Sequence, residues 1–297
     1  MTALDIIVPV FNEKIEVVLN LVARLKSDLG SWDDATIIVV DDGSERKFNL
    51  CRLSDEAGIR FVCHPTNQGY GEALKTGIRA GSAPWIAIID ADDTYPVDEL
   101  KNLIKQMDHA DMVVGARTGD IRKIPWLRRF PKYMLNRLAS YMAGKEIRDL
   151  NSGMRIFSRE LCYQLWPFFP KGFSFTSTLT MGALLGGLQV KEEQINYYKR
   201  AGNSSIRPVK DTFQFIHIIL RMGILFHPMK LFIPIAIFLA SIGFIKGFLR
   251  DLFVVGYIGN LSIMLMLAGL QIFLMGYIAE LIVINRLWGY KKKRNRP

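Results

Sequence analysis

The stretch from Leu252 to Ala279 carries no charged residue. That is longer than the roughly 20 apolar residues a helix needs to cross a hydrocarbon core of about 30 Å. A second uncharged run, Leu231 to Ile245, extends through Leu249 if Lys246 snorkels toward headgroups. These runs predict membrane helices over 230–249 and 258–284, joined by a turn at Gly256-Tyr257-Ile258-Gly259-Asn260. An even number of crossings returns the tail to the starting side. The tail carries Arg286, Lys291, Lys292, Lys293, Arg294 and Arg296 with no acid, and an upstream segment carries Arg122, Lys123, Arg128, Arg129, Lys132 and Arg137, also with none. The connecting loop holds only Lys246 and Arg250 against Asp251. The positive-inside tendency then places both basic segments in the cytosol.

Upstream of about residue 225 the chain alternates. Leu4–Val10, Ala35–Asp41, Ile59–Cys63, Trp85–Asp90 and Met112–Ala116 are short runs rich in Ile and Val, and 14–29, 68–82 and 96–107 have helical spacing. This predicts an α/β domain around a mainly parallel sheet. The segments 124–143 and 209–228, the second with Phe213, Phe215, Ile216, Ile219, Leu220 and Leu225, read as amphipathic interface helices. The net charge of +10 would also suit nucleic acid. No helix-turn-helix, zinc-finger or RNP pattern supports that partner, so the expected anionic surface is a lipid bilayer and no nucleic acid is expected. Cys51, Cys63 and Cys162 are odd in number and share no C-x-x-C or Cys/His ligand spacing. This argues against a disulfide framework or structural zinc and fits a reducing compartment. Residues Met1 to Asp5 do not read as the start of a cleaved secretory signal.

Asp90-Ala91-Asp92 directly follows an apolar strand. Two carboxylates one residue apart can share a divalent cation only if the chain turns there, and Asp93-Thr94-Tyr95-Pro96 supplies turn residues. The first strand ends in Pro9-Val10-Phe11-Asn12-Glu13 and the second in Asp41-Asp42-Gly43-Ser44. Three acid-bearing loops at one edge of a parallel sheet define a pocket, because ligands of such sheets bind beyond the strands' carboxyl ends. A cation reconciles this acidity with a phosphate ligand by bridging the two. Asp41 is suited to accept from a base N–H or a ribose hydroxyl. Gly69-Tyr70-Gly71 lacks the third glycine of the dinucleotide fingerprint and reads as a turn into a helix; the absence of a Walker A sequence weakens an ATPase or kinase reading. His64, His109, His217 and His227 show no metal or triad spacing and read as structural.

These motifs resemble those of the GT-A glycosyltransferases of family 2, in particular the polyprenyl-phosphate group that includes dolichol-phosphate mannose synthase and undecaprenyl-phosphate sugar transferases. The resemblance rests on Val8-Pro9-Val10-Phe11-Asn12-Glu13, Val39-Val40-Asp41-Asp42-Gly43-Ser44, Asn67-Gln68-Gly69-Tyr70-Gly71 and Asp90-Ala91-Asp92. It continues in Asn151-Ser152-Gly153-Met154-Arg155 and Arg200-Ala201-Gly202-Asn203-Ser204-Ser205. It implies a Rossmann-like GT-A domain at 1–208, an interface helix at 209–229, a two-helix hairpin at 230–284 and a basic tail at 285–297. By the same resemblance Pro9, Phe11 and Glu13 border the nucleotide, and Val39 and Asp41 contact base and ribose. Asp90, Ala91 and Asp92 meet the donor diphosphate, with Mg²⁺ or Mn²⁺ held by Asp90 and Asp92. The related synthases place a glutamine ligand where Thr94 stands here. Arg117 and Arg200 match phosphate-binding positions and join Asp92 as candidate catalytic residues, and Arg's planar donor fork suits that task.

The implied reaction is inverting transfer of a hexose from a nucleotide diphosphate sugar, UDP- or GDP-linked, to a polyprenyl phosphate at the cytosolic face of a bacterial inner membrane or its equivalent. A lipid phosphate is already ionised and attacks without a strong base. The segment Phe173 to Thr178 contains no acid, which favours that acceptor, while Asp149 remains a candidate base or orienting group. Arg117, Arg122, Arg128 and Lys132 are candidates for holding the acceptor phosphate. One alternative is a GT-A enzyme acting on a saccharide hydroxyl, which the missing Q-x-x-R-W motif disfavours. Another is a non-catalytic nucleotide-sugar-binding membrane scaffold. Hairpins of this kind also suit self-association into a homo-oligomer.

Overall fold

The computed structural model describes residues 3–28, 34–45, 50, 58–117, 126–172, 174–196, 198 and 208–294. They form two units, Met1–Ile218 and Ile219–Pro297, with the division falling inside one helix. In the first unit the strands are β1 (Leu4–Val10), β2 (Ala35–Asp41), β3 (Ile59–Cys63), β4 (Trp85–Ile88), β5 (Met112–Arg117), β6 (Arg155–Ser158) and β7 (Val190–Ile195). Its helices are α1 (Ile15–Asp28), α2 (Tyr70–Ala80), α3 (Leu100–Ile104), α4 (Trp126–Ala143), α5 (Arg159–Leu165) and α6 (Phe175–Leu185), and α7 (Pro208–Phe226) is the helix within which the two units divide.

The strands make one sheet in the order β3-β2-β1-β4-β6-β5-β7. β1 pairs in parallel with β2 and β4, β2 with β3, and β5 with β7, while β6 runs antiparallel between β4 and β5. Every residue of β1 is buried, which is why its apolar run has no polar alternation. Val18, Leu21, Val22 and Leu25 of α1 pack into the core with Ile6, Val8, Ile37 and Val39. The expected sheet is therefore present, with three differences. β4 ends at Ile88, freeing Ile89 to Asp92 to leave the sheet as a loop. Helix α3 covers only part of the expected 96–107. The short β6 and the charged β7 were not anticipated, because neither has strand-like apolar periodicity. Cys63 is disulfide-bonded, which corrects the expectation that the cysteines stay reduced, since an odd count does not exclude one pair.

In the second unit α8 (Met229–Ile245) continues as a π-helical segment, Lys246–Val255, and Gly256 at φ 84 reverses the chain into α9 (Asn260–Arg294). Two stretches, Met229–Val254 and Asn260–Asn285, are long and apolar enough to cross a membrane, with mean hydropathy 2.1 and 2.0. Only 17% of each is buried, unlike the core helix of a soluble domain. The two helices pack closely: a Cβ on Gly269 would stand 2.8 Å from the Ala236 carbonyl, and one on Gly243 2.8 Å from that of Ser262. Lys246 donates to both carboxylate oxygens of Asp251, at 2.9 and 3.0 Å, and Ser262 Oγ donates to the same carboxylate at 2.5 Å. Lys246 thereby closes the turn locally.

Candidate active site

The loops leaving β1, β2 and β4 converge at one sheet edge, as parallel topology dictates. Asn12, at φ 55, donates its amide to Ser44 Oγ at 2.8 Å and accepts from the Glu45 amide at 2.9 Å, so the first two loops are latched together. Asp41 is buried and accepts from the amides of Ser44 and Leu50. Asp42, also buried, accepts from the amides of Gln68 and Gly69 at 2.9 and 2.8 Å and meets His64 Nδ1 at 2.7 Å. His64 Nε2 lies 2.8 Å from Thr76 Oγ1, which gives this histidine the structural role its sequence context suggested. The turn that Asp42 holds is the start of α2. Gly69 at φ 103 is required there, because a Cβ would meet the Lys171 carbonyl at 2.7 Å.

That turn delivers Tyr70 to Asp90. Its hydroxyl donates to Asp90 Oδ1 at 2.8 Å. On the other side Gly153 approaches so closely that a Cβ would stand 1.9 Å from Asp90 Oδ2, and its amide donates to Tyr95 Oη at 2.7 Å. Asp92 Oδ1 accepts from Thr94 Oγ1 at 2.6 Å. Asp93, at φ 57, pairs with Arg24 of α1. Burial and then repulsion from Asp92 raise the Asp90 carboxyl to about 6 from its ordinary 3.8, against the lowering effect of Tyr70, Arg117 and Arg155. A cation would relieve that repulsion, so two hard oxygen donors at this spacing fit Mg²⁺ or Mn²⁺. Among the described residues no group of three or more His, Cys, Asp or Glu is placed to hold a metal. Two carboxylates are a sufficient protein share where phosphate oxygens and water complete the shell.

Arg117, at the end of β5, makes a two-point pair with Asp149: Nε to Oδ2 at 2.6 Å and Nη2 to Oδ1 at 2.8 Å. Asp149 thus orients an arginine. Arg155 is completely buried and donates to the carbonyls of Ser152 and Thr176 and to Thr180 Oγ1. Asn151 accepts from Ser177 of α6, within the 173–178 segment that carries no acidic residue. The segment Asn151 to Arg155 therefore ties Asp90, Arg117 and α6 into one network.

Asp41, Asp90, Asp92 and Arg117 are all placed in this edge or its network. Pro9, Val39 and Ala91 are buried, with Val39 in the core cluster, whereas Phe11 is 47% exposed beside Glu13. Arg200 and Arg122 lie outside the described residues, and Arg128 and Lys132 fall on α4 with side chains outside the description. Tyr70, Tyr95, Gly153 and Arg155 had no assigned role from sequence; only the motifs containing Tyr70, Gly153 and Arg155 pointed toward them.

Residues 5–166 match the family model described as Glycosyl transferase family 2, and residues 227–284 match one described as GtrB C-terminal hairpin. The chain is 29% identical over 177 residues to the dolichyl-phosphate hexose transferase of Haloferax volcanii, covering 59% of this chain and 75% of that protein. It is 29% identical over 210 residues to the polyprenol monophosphomannose synthase of Mycolicibacterium smegmatis, covering 66% and 77%. Glucosyl-3-phosphoglycerate synthase of Mycobacterium tuberculosis, crystallised with Mn²⁺, UDP and phosphoglyceric acid, shares the fold with a TM-score of 0.58 at 20% identity, over 75% of this chain and 78% of that one. With the first family model spanning more than half of a chain whose sheet places its acid-bearing loops at one edge, the chain belongs to glycosyl transferase family 2, as a glycosyltransferase of GT-A fold.

Proposed function

We propose that this enzyme transfers a hexose from a UDP- or GDP-linked sugar to a polyprenyl phosphate at the cytosolic face of a membrane. The observation that carries the reading is the commitment of the surrounding carboxylates. Asp41 and Asp42 hold loop amides, Asp93 pairs with Arg24, and Asp149 is bound at two points by Arg117. A hydroxyl acceptor needs a base to take its proton, whereas a phosphate monoester arrives ionised. The names of the two relatives, which refer to dolichyl phosphate and polyprenol monophosphate chemistry, support the same acceptor.

In this mechanism an acceptor phosphate oxygen attacks the anomeric carbon from the face opposite the leaving group. The new C–O bond forms as the bond to the donor diphosphate breaks, the configuration inverts and a nucleoside diphosphate departs. Asp90 and Asp92 would hold Mg²⁺ or Mn²⁺, which when bound supplies charge neutralisation to the leaving diphosphate. Arg117, fixed by Asp149, presents a preset guanidinium to phosphate oxygens. The work of the site is positioning and charge compensation.

Access to a lipid acceptor requires the site to lie near headgroups. On α4, Leu135, Ala139 and Met142 are buried, while Tyr133, Met134 and Tyr141 are exposed around Arg137 and Leu138. An outward face of aromatic, apolar and basic groups suits a bilayer interface. The basic tail and the basic 122–137 segment support a cytosolic side for the catalytic domain and the tail, through the positive-inside tendency.

Detergent-purified protein incubated with a panel of nucleotide sugars, polyprenyl phosphate and Mn²⁺ should yield a glycosylated lipid phosphate identified by mass, and Asp92→Asn should abolish it. Transfer to a saccharide hydroxyl with none to any lipid phosphate would overturn the acceptor assignment.

A further inference from the structure

Each carboxylate of the Asp90 and Asp92 pair accepts a hydroxyl hydrogen bond on its Oδ1. Tyr70 Oη donates to Asp90 at 2.8 Å, and Thr94 Oγ1 donates to Asp92 at 2.6 Å, with the Thr94 amide adding a longer contact at 3.3 Å. Both hydroxyls are themselves held in place. Tyr70 begins α2, whose start is fixed on one side by Asp42 through the amides of Gln68 and Gly69, and on the other by the Lys171 carbonyl through the amides of Gly71 and Glu72. Thr94 is 1% exposed, and its carbonyl accepts from the Tyr198 amide at 2.9 Å.

We propose that Tyr70 and Thr94 are positioning residues for a divalent cation, each using its hydroxyl to fix the rotation of one carboxylate ligand. The proposal rests on the reading of Asp90 and Asp92 as cation ligands and goes beyond it. An unrestrained carboxylate turns between one-point and two-point contact, and two neighbouring carboxylates turn apart to reduce repulsion. A carboxylate with one oxygen already engaged by a hydroxyl is held in a single orientation before the cation arrives. Gly153 closes the remaining side of Asp90, and its tie to Tyr95 keeps it there. Thr94 therefore acts through Asp92, and a methyl in place of its hydroxyl removes the effect while preserving volume.

The test uses the full chain in detergent with Tyr70→Phe, Thr94→Val and Thr94→Ser. Mn²⁺ binding is followed by loss of the free-ion electron paramagnetic resonance signal in the presence of UDP or GDP, and nucleotide affinity is measured separately in EDTA. Removing an outer-shell partner of this kind weakens metal binding about 10- to 100-fold, so the Phe and Val variants should each lose Mn²⁺ affinity in that range. The Ser variant should bind like wild type, and metal-free nucleotide affinity should be unchanged in all three. Wild-type Mn²⁺ affinity in folded Tyr70→Phe and Thr94→Val overturns the proposal. A parallel loss of metal-free nucleotide affinity, or failure of Thr94→Ser to restore binding, also overturns it by assigning a general structural role. Absence of Mn²⁺ binding by the wild type sinks the cation site itself, a distinguishable failure. Should Tyr70→Phe not fold, the Val and Ser variants at Thr94 decide the matter.

Discussion

Arg117 and Asp149 form a two-point pair, Nε to Oδ2 at 2.6 Å and Nη2 to Oδ1 at 2.8 Å, and the Arg117 amide adds a third donor to Oδ2 at 3.2 Å. The carboxylate is almost fully covered and the guanidinium three-quarters covered. Removing one partner of such a pair leaves an uncompensated charge, at a cost of about 3–5 kcal/mol when both are buried. Partial exposure of Arg117 puts Asp149→Ala toward the lower end, about 3 kcal/mol. Chemical denaturation of the purified variant checks this. Arg117→Lys should retain most of the stability yet lose most of the transfer rate, because an ammonium cannot reproduce the fork.

Gly153 sets a steric limit behind Asp90. Gly153→Ala puts a Cβ where Asp90 Oδ2 now lies, so the carboxylate must move. We expect a stability loss of about 1–3 kcal/mol from overpacking together with a higher Mn²⁺ requirement for transfer. Gly172 supplies the control: nothing lies within 4 Å of its added Cβ. Gly172→Ala should change stability by no more than about 0.5 kcal/mol. Thermal unfolding and metal titration of both variants separate the two cases.

The acidity of Asp90 predicts a pH window. Burial and repulsion from Asp92 raise its carboxyl to about 6 in the folded protein, above its ordinary 3.8. The folded state thus holds that proton more tightly than the unfolded chain. Its stabilising contribution is complete below the ordinary carboxyl range and is lost as pH rises through about 6. A bound cation favours the deprotonated form, so stabilisation by Mn²⁺ with UDP or GDP should grow across the same window. Asp90→Asn should flatten both trends in melting temperature measured against pH.

Cys162 is free and fully buried, and burial pushes its thiol up to about 12. The thiolate is the reactive species. Native protein at pH 8 should therefore leave the Cys162 peptide unmodified by iodoacetamide, whereas unfolded protein should be fully alkylated. Mass mapping of that peptide reads the outcome, and rapid native labelling would contradict the buried placement.

Much of this molecule was legible in one dimension. The short Ile- and Val-rich runs of β1, β2 and β4 read as strands covered on both faces, and parallel strands of one sheet present their carboxyl ends at one edge. Parallel topology alone therefore brings the loops of Asp41, Asp90 and Asp92 to the same edge. The uncharged C-terminal runs likewise read as a two-helix hairpin, because each is long enough for a helix to cross a hydrocarbon core. What remained hidden depends on contacts between segments distant in sequence. The four residues of β6 have no periodicity to read, and their pairing exists only because β4 and β5 stand on either side. The grip of Tyr70 and Gly153 on Asp90, the binding of Asp149 by Arg117, and the burial of Arg155 against α6 all join positions whose spacing carries no local signal. Sequence determined which chemical groups reach the edge, through backbone periodicity and burial; tertiary packing alone decided which carboxylates are committed to partners and how the Asp90 and Asp92 pair is held.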